Sequence, residues 1–426
     1  PHQTKDAYIE ARCTETAMKI YNPAVHPREP YGQGRGVRRS PFYEREKELG
    51  GHFMEIGGWE RAHGYAANEH LLEKYADRVP VREHEWDNRH FWRVSNAEQL
   101  AMSDDCGIIN LSHFHMTDIS GPDHFELMEW LCAAKIGGDA NIGKGIYTHM
   151  LDDEGMVRAD FTVFRMEDRC RLVNGADAGP RDLTYMRRTA QDKGWDVTIT
   201  DVTEDYTTIG IWGPNARENL KKVVEDPEAL NVENFPFAAI RQIKIASKTV
   251  SAFRISYVGE QGWELHMTYE DGLAVWDALR ETGVMAFGVE TYANSRRLEK
   301  SLRLQNADLL TEYNLYEADL SRPNVKEADF RGKAKHQEYR ERAHQPATRL
   351  FAAAKMFFRH GRHPRDGRQR LTAFYQNLHP MQKHELQPLG KIQGIDAERL
   401  GTLQCFRGWR LCTPGINLPE FNFNPE

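Results

Sequence analysis

A short pattern that occurs twice is the feature that most constrains the fold of this chain. An apolar, strand-like segment ends in Gly-Pro and is followed by helix-like sequence, at Gly121-Pro122 and again at Gly213-Pro214. We expect each proline in the first helical turn, where its missing N–H costs nothing. Further predicted strands and a helix follow both copies. The duplication therefore predicts an α+β fold with two similar units, each a sheet covered by helices on one face, and a ligand cleft between such units is expected.

The spacing of apolar residues predicts the elements of both units. The acidic turn Asp152 to Gly155 joins two of the strands into a hairpin. The predicted helices span 95–107, 122–136, 177–193, 214–226 and 270–281, and the predicted strands span 108–114, 115–120, 146–151, 157–166, 169–175, 207–213, 238–246, 249–257 and 263–268.

Composition excludes several classes of protein. The 426 residues carry a formal charge of -7, so there is no overall positive charge to favour nucleic-acid binding. No run of about 18 apolar residues is available for a membrane span. The six cysteines form no CxxC pair, which favours a reducing, cytosol-like compartment over a disulfide framework.

The two ends of the chain differ from its middle. Residues 1–38 contain Pro23, Pro27 and Pro30 and then a glycine-rich stretch, and we interpret them as an extended connector. The glycines lack the strand before and helix after that a dinucleotide-binding loop needs. Residues 351–426 hold 11 Lys and Arg against 6 Asp and Glu, and their basic run over 359–370 follows no helical or strand period, so we expect a poorly packed tail.

Asp160 is the first candidate for chemistry. Odd positions of the strand over 157–164 are apolar, so Asp160 lies on the opposite face, where solvation is the simplest interpretation. His113 and His115 could contact one metal ion, but no third ligand stands at a recognisable spacing, and we expect no metal. No GxSxG, P-loop or HExxH motif occurs.

Residues 254–264 are a second candidate site. Tyr257, Trp263 and Glu264 lie at the ends of predicted strands around a glycine-rich turn. Aromatic rings beside a carboxylate suit a flat heterocycle with adjacent N–H donors, such as a pterin. An ordinary hairpin whose glycines serve the turn explains the spacing equally well.

Several stretches together resemble a known family. SPFYEREKELGGHFMEIGGWERAHGY from residue 40, CGIINLSHFHMTDISGPD, GKGIYTHMLDDEGMVRADFTV, RISYVGEQGWELHM and NSRRLEKSLR resemble the folate-binding region of dimethylglycine and sarcosine dehydrogenases. That region is similar to the glycine-cleavage T-protein, an aminomethyltransferase. The resemblance covers roughly 40–345, and its motifs are specific in combination.

The resemblance implies a cloverleaf of α+β units with tetrahydrofolate in a central channel. It places the catalytic aspartate at Asp160, with its pKa raised by burial. Many T-proteins have an arginine for the folate tail where this chain has Ala293, so Arg296 or Arg297 would have to replace it. The residues that the resemblance assigns to folate binding are Tyr147, Asn174, Tyr257, Glu264 and, by this substitution, Arg297.

The resemblance also implies three parts: a connector over 1–38 from an upstream flavin domain, a folate-binding domain over 39–345, and an atypical basic tail over 346–426 in place of a C-terminal β-barrel. FAD is expected only in the upstream domain. The implied function is tetrahydrofolate-dependent one-carbon transfer within an N-methylglycine demethylating dehydrogenase. The expected partners are an N-methyl amine or iminium, tetrahydrofolate and a flavoprotein domain or subunit, in the cytoplasm or the mitochondrial matrix.

Two alternatives remain open. A tetrahydrofolate-dependent O- or S-demethylase would keep the fold and change the donor. A non-catalytic folate-binding protein, like the iron-sulfur maturation relatives, would keep the ligand, although their KGCYxGQ-type motif does not occur in this sequence.

Overall fold

The computed structural model describes residues 5–20, 31–79, 92–300, 302–320 and 325–343. By their contacts, the described residues fall into two parts: one comprises those up to Asn314 with 325–336, and the other comprises Leu315–Leu320 with 337–343. The predicted tail over 346–426 lies outside the described residues, and the predicted boundaries near 38 and 345 stay predictions. Across the described ranges, no helix has the length and apolar character to cross a membrane.

Between residues 92 and 281 the helices and strands occur in the predicted order, with one additional strand over Thr198–Asp201. The α-helices are α1 Asp6–Ile20, α2 Tyr43–Glu48, α3 Leu71–Lys74, α4 Trp92–Asp104, α5 His124–Leu131, α6 Gly179–Lys193, α7 Ala216–Lys221, α8 Tyr269–Glu281, α9 Arg297–Glu299 and α10 Lys333–Ala343, with a π-helix over Thr291–Arg296. The strands are β1 Gly51–Ile56, β2 Trp59–Tyr65, β3 Gly107–Asn110, β4 His115–Ser120, β5 Lys144–Leu151, β6 Val157–Arg165, β7 Cys170–Asn174, β8 Thr198–Asp201, β9 Tyr206–Trp212, β10 Ile240–Ile245, β11 Lys248–Phe253, β12 Gly262–Thr268 and β13 Met285–Ala286.

The predicted duplication is confirmed by the sheet order. The first sheet runs β5-β6-β7-β4-β8, and the second runs β10-β11-β12-β9-β3-β13. In the first sheet, β4 pairs antiparallel with β7, the last strand of the β5–β6–β7 meander that follows it in sequence. In the second sheet, β9 pairs in the same way with β12, the last strand of the β10–β11–β12 meander. The α+β class with two similar units is therefore correct.

The prediction for the two prolines is wrong in its detail. Helix α5 has its N-cap at Asp123 and helix α7 at Asn215, so Pro122 and Pro214 precede the N-cap instead of lying in the first turn. Gly121 and Gly213 have φ values of 102° and 138°, and these turns redirect the chain before the helix begins.

Each sheet has its own apolar core on the side that its helices cover. Helices α5 and α6 pack on the first sheet, and helices α7 and α8 pack on the second sheet. The first core includes Ile119, Leu127, Leu131, Phe161, Leu172 and Met186, and the second includes Ile211, Leu220, Ile245, Trp263, Leu265 and Trp276.

The expectation of an extended connector is wrong for residues 6–20, which form α1. Its sequence is rich in helix formers, and the prolines that suggested extended chain come after it, within residues 21–30, which the structure does not describe. Arg12 of α1 pairs with Glu55 of β1 at 2.7 Å, and Glu15 accepts hydrogen bonds from the backbone N–H groups of Gly32 and Gln33. The β1–β2 hairpin, which this segment contacts, was also not predicted.

Candidate functional site

The β5–β6 hairpin carries the first part of the site. Apolar residues of β6 are buried at the odd positions, as predicted, and Asp160 lies on the other face. His149 is the direct cross-strand partner of Asp160, and Tyr147 lies two residues before it on the same face of β5. The hydroxyl of Tyr147 donates a hydrogen bond to Oδ2 of Asp160 at 2.9 Å. Gly155, with φ of 75°, closes the predicted turn.

Asp160 is not a simply solvated strand residue. Burial raises the pKa of its carboxyl to about 6, opposed by the hydrogen bond from Tyr147 and assisted by the nearby carboxylate of Asp182. The charge of Arg181 lowers the pKa of Asp160, by less than the hydrogen bond from Tyr147 does. Near neutral pH the group is therefore an ionised base that can accept a proton without a large penalty.

Asn174 lies at the end of β7, in contact with the carboxylate of Asp182. Its Nδ2 donates to Oδ2 of Asp182 at 3.0 Å, while Nε of Arg181 donates to Oδ1 of the same carboxylate at 3.0 Å. Because the amide nitrogen is held by Asp182, the Asn174 oxygen is the atom left to accept a hydrogen bond. The structure thus gives Asn174 a fixed amide orientation.

Tyr257 contributes an aromatic wall. Its hydroxyl donates to the backbone carbonyl of Arg303, and burial raises its pKa, with the charge of Asp160 adding to the increase. Its ring lies 4.9 Å from that of Tyr292, which in turn stacks on Trp212 at 5.5 Å. The rings of Tyr257 and Tyr292 are tilted by 42° to each other, and the Tyr257 ring lies near Asp160 as an apolar surface for a ligand.

Glu264 forms the opposite part of the site. It is 8% exposed on β12, and its Oε2 lies 3.2 Å from Nε2 of His266. Nδ1 of His266 lies 2.9 Å from the hydroxyl of Thr208 on β9. A buried carboxylate held in this way is oriented to accept hydrogen bonds from a ligand.

Trp263 does not join the site. Strand alternation turns it away from Glu264, and it is fully buried in the second core, 5.9 Å from Phe235. The hypothesis that it forms part of an aromatic platform with Tyr257 is therefore wrong. Residues 254–261 are also not the end of a hairpin strand, since β11 ends at Phe253.

Tyr292 is a site residue that the sequence did not single out. Burial raises the pKa of its hydroxyl, and the charges of Glu264, Tyr257 and Asp160 add to the increase, so the ring lies near both carboxylates. It is the second residue of the π-helix, a local geometry that often marks functional positions. The only available signal was its position just before the quoted NSRRLEKSLR segment.

Arg297 lies near Tyr257, but its guanidinium is largely engaged. It forms a buried ion pair with Asp308, and it donates to the backbone carbonyls of Leu302 and Ala293. Arg296 likewise pairs with Glu260 and Glu299. Arg297 therefore lies near the site, but its guanidinium is already paired with Asp308. The other predicted site residues that the structure places in this region are Asp160, Tyr147, Asn174, Tyr257 and Glu264.

The paired histidines have separate surroundings. Nε2 of His115 lies 3.4 Å from Asp201 on the neighbouring strand β8. His113 precedes β4 and is buried, which lowers its pKa well below the ordinary value. Among the described residues, no group of three or more His, Cys, Asp and Glu could hold a metal ion.

Known proteins share this arrangement of elements. The chain is 20% identical to the crystal structure of the glycine cleavage system aminomethyltransferase T from Bartonella henselae, with a TM-score of 0.57 over 72% of this chain and 76% of that one. At this identity the likeness establishes the fold alone.

Sequence relatives extend the comparison. Rat dimethylglycine dehydrogenase, a mitochondrial protein, is 32% identical over 78% of this chain and 38% of its own length. The 4-methylaminobutanoate oxidase (formaldehyde-forming) of Paenarthrobacter nicotinovorans is 30% identical over 66% of this chain and 32% of its own length. The chain thus spans about a third of the length of these relatives.

Two family models match the chain. Residues 1–40 match the central domain of FAD-dependent oxidoreductases, and residues 42–325 match the GCVT N-terminal domain. The second match covers most of the chain and includes every site residue described above. The chain therefore belongs to the GCVT N-terminal domain family, as an aminomethyltransferase-like enzyme related to the dimethylglycine and sarcosine dehydrogenases.

Proposed function

We propose that this chain binds tetrahydrofolate and transfers a one-carbon unit to it. The observation that carries the proposal is the half-buried Asp160, whose pKa is raised to about 6 and which lies near the aromatic rings of Tyr257 and Tyr292, with the carboxylate of Glu264 also near Tyr292. A base, an aromatic ring to pack against and an acceptor of paired N–H donors are what a reduced pterin requires.

The roles of the residues follow from their chemistry. Glu264 accepts the pterin's adjacent N–H groups, Asn174 offers its amide oxygen, and Tyr257 packs against the ring system. Asp160 takes the proton released when a folate nitrogen forms its bond to carbon. Such a base contributes roughly 10²- to 10⁴-fold to the rate.

We infer that the donor is the iminium of an N-methyl amine, formed by a flavin-dependent oxidoreductase. The match of residues 1–40 to the central domain of that class and the relatives named dehydrogenases and oxidase support this choice. The balance is simple: the iminium and tetrahydrofolate give methylene-tetrahydrofolate, the free amine and one proton. That proton goes to Asp160. An N-methylglycine is the proposed donor amine, and the cytoplasm or mitochondrial matrix the proposed location.

Two measurements test the proposal. Anaerobic calorimetry of the chain with tetrahydrofolate should show one saturable site, and an iminium generated by a separate amine oxidase should give methylene-tetrahydrofolate faster with the chain than without it. No binding of tetrahydrofolate would refute the proposal. Binding without any acceleration would favour a folate-binding protein with no transferase activity.

A further inference from the structure

His149 completes a hydrogen-bonded row with Tyr147 and Asp160. It is 4% exposed, it is the cross-strand partner of Asp160, and its Nε2 lies 3.2 Å from the hydroxyl oxygen of Tyr147. The two rings meet edge to face at 4.9 Å. His149 therefore contacts the residue that donates to Asp160 and is itself one step removed from the cleft.

The proton positions in this row follow from counting donors. Burial lowers the pKa of His149 to about 3, so its ring is neutral and carries one proton. The only proton of the Tyr147 hydroxyl points to the ionised Asp160, so the tyrosine oxygen is an acceptor toward His149. Nε2 of His149 must then hold the ring's proton.

We propose that His149 is a positioning residue for Asp160: its Nε2–H donates to Tyr147 and so directs the tyrosine's proton onto Oδ2 of the aspartate. This inference rests on the proposed role of Asp160 as the base. The carboxylate of Asp160 thus has one oxygen, Oδ2, held by Tyr147, and it also accepts a hydrogen bond from the backbone N–H of Asp160.

A proton relay through the same row is disfavoured. Burial raises the pKa of Asp160 and lowers the pKa of His149, so a proton on the aspartate does not pass readily to the imidazole. His149 therefore holds the hydrogen-bond direction and does not store the proton.

Other charged groups also act on the pKa of Asp160. Asp182 raises its pKa and Arg181 lowers it. Further ionisable groups near Asp160 and Tyr147 in the described part of the chain include Arg158 on β6, Arg303, Tyr257 and Tyr292.

The test is the titration of Asp160 in the full chain without folate, by NMR of ¹³C-labelled aspartate assigned with Asp160→Asn. His149→Phe keeps a ring but removes the donor, and we expect the pKa of Asp160 to rise by about half a unit to one unit because Tyr147 is no longer held. His149→Gln restores an N–H donor and should return the pKa close to that of the wild type. Tyr147→Phe should raise it at least as much as His149→Phe.

An unchanged pKa in His149→Phe, or an equal shift in His149→Gln, would overturn the proposal and assign His149 a packing role. Should His149→Phe not fold, ¹⁵N NMR of the wild-type imidazole decides the question, since a proton on Nδ1 instead of Nε2 would refute it. These readouts need no folate, so a chain that fails to bind tetrahydrofolate would refute the proposed function while still giving a result for His149.

Discussion

Nε2 of His266 lies 3.2 Å from Oε2 of Glu264, and both side chains are buried. Thr208 holds the other ring nitrogen of His266. The imidazole thereby restrains one oxygen of the carboxylate and leaves Oε1 available for a ligand. The restraint matters because a carboxylate that is oriented before binding loses less conformational freedom when it binds.

Replacing Glu264 should weaken tetrahydrofolate binding. Glu264→Gln exchanges a charged acceptor of two hydrogen bonds for a neutral amide, which costs about 1.5–3 kcal/mol, or roughly 10- to 150-fold in Kd. Anaerobic calorimetry measures the change. The exposed Glu281→Gln on α8 is the matched control and should bind like the wild type. Equal affinity in both variants would remove Glu264 from the binding site.

Replacing Asp160 should suppress transfer more than binding. Asp160→Asn cannot accept the proton, so the rate of methylene-tetrahydrofolate formation should fall by about 10²- to 10⁴-fold, while Kd for tetrahydrofolate changes by only a few-fold. The exposed Asp168→Asn, just beyond β6, is the control. A normal rate in Asp160→Asn would show that the aspartate takes no part in the chemistry.

The same carboxyl should set the acid side of the rate profile. Because burial raises the pKa of Asp160 to about 6, the base is protonated and inactive below that pH and ionised above it. The transfer rate should rise as pH increases through about 6 and then level off. A rate that falls as pH increases through 6 is incompatible with Asp160 as the base.

Stability should decrease with rising pH because of Glu46. Burial raises its pKa to about 7 from an ordinary 4.5, so the folded state keeps a proton that the unfolded state releases between these values. The free energy of unfolding is therefore largest below pH 4.5 and falls as pH rises through 7, by an amount on the order of 1.4 kcal/mol per unit of pKa difference. Glu98, with a pKa raised to about 7, adds to the trend.

Thermal melting at pH 5 to 8 tests this dependence. Glu46→Gln can donate to the oxygen of Tyr65 and accept from Asn110, so it should fold and should flatten the dependence of Tm on pH. The exposed Glu48→Gln should keep the wild-type slope. The assignment fails if Glu46→Gln has that slope too.

Arg297 can be tested apart from its ion pair. Arg297→Met should destabilise the protein by about 3–5 kcal/mol because Asp308 loses its buried guanidinium partner, and the double variant Arg297→Met/Asp308→Leu should recover much of that loss. If Arg297 also holds the folate tail, the double variant should be stable but bind tetrahydrofolate weakly. Recovery of both properties would limit Arg297 to a structural role.

The sequence by itself determined the local elements and the faces of the strands. Period-two alternation placed Asp160 opposite the apolar face of β6, and the turn that ends at Gly155 defined the β5–β6 hairpin. Alternation also separates Trp263 from Glu264, but it cannot tell which of the two faces the cleft. These features are readable because each depends on contacts between residues close together in the chain.

Only the tertiary structure decided which side chains meet. Tyr292 lies near Asp160 and Glu264 because β6, β12 and the π-helix converge. Arg297 pairs with Asp308, and no sequence pattern around either residue indicates that contact. The same holds for His149, whose effect on Asp160 passes through Tyr147 and depends on strand register. Register and helix packing are set by the summed burial of distant apolar residues, which no single segment of sequence contains.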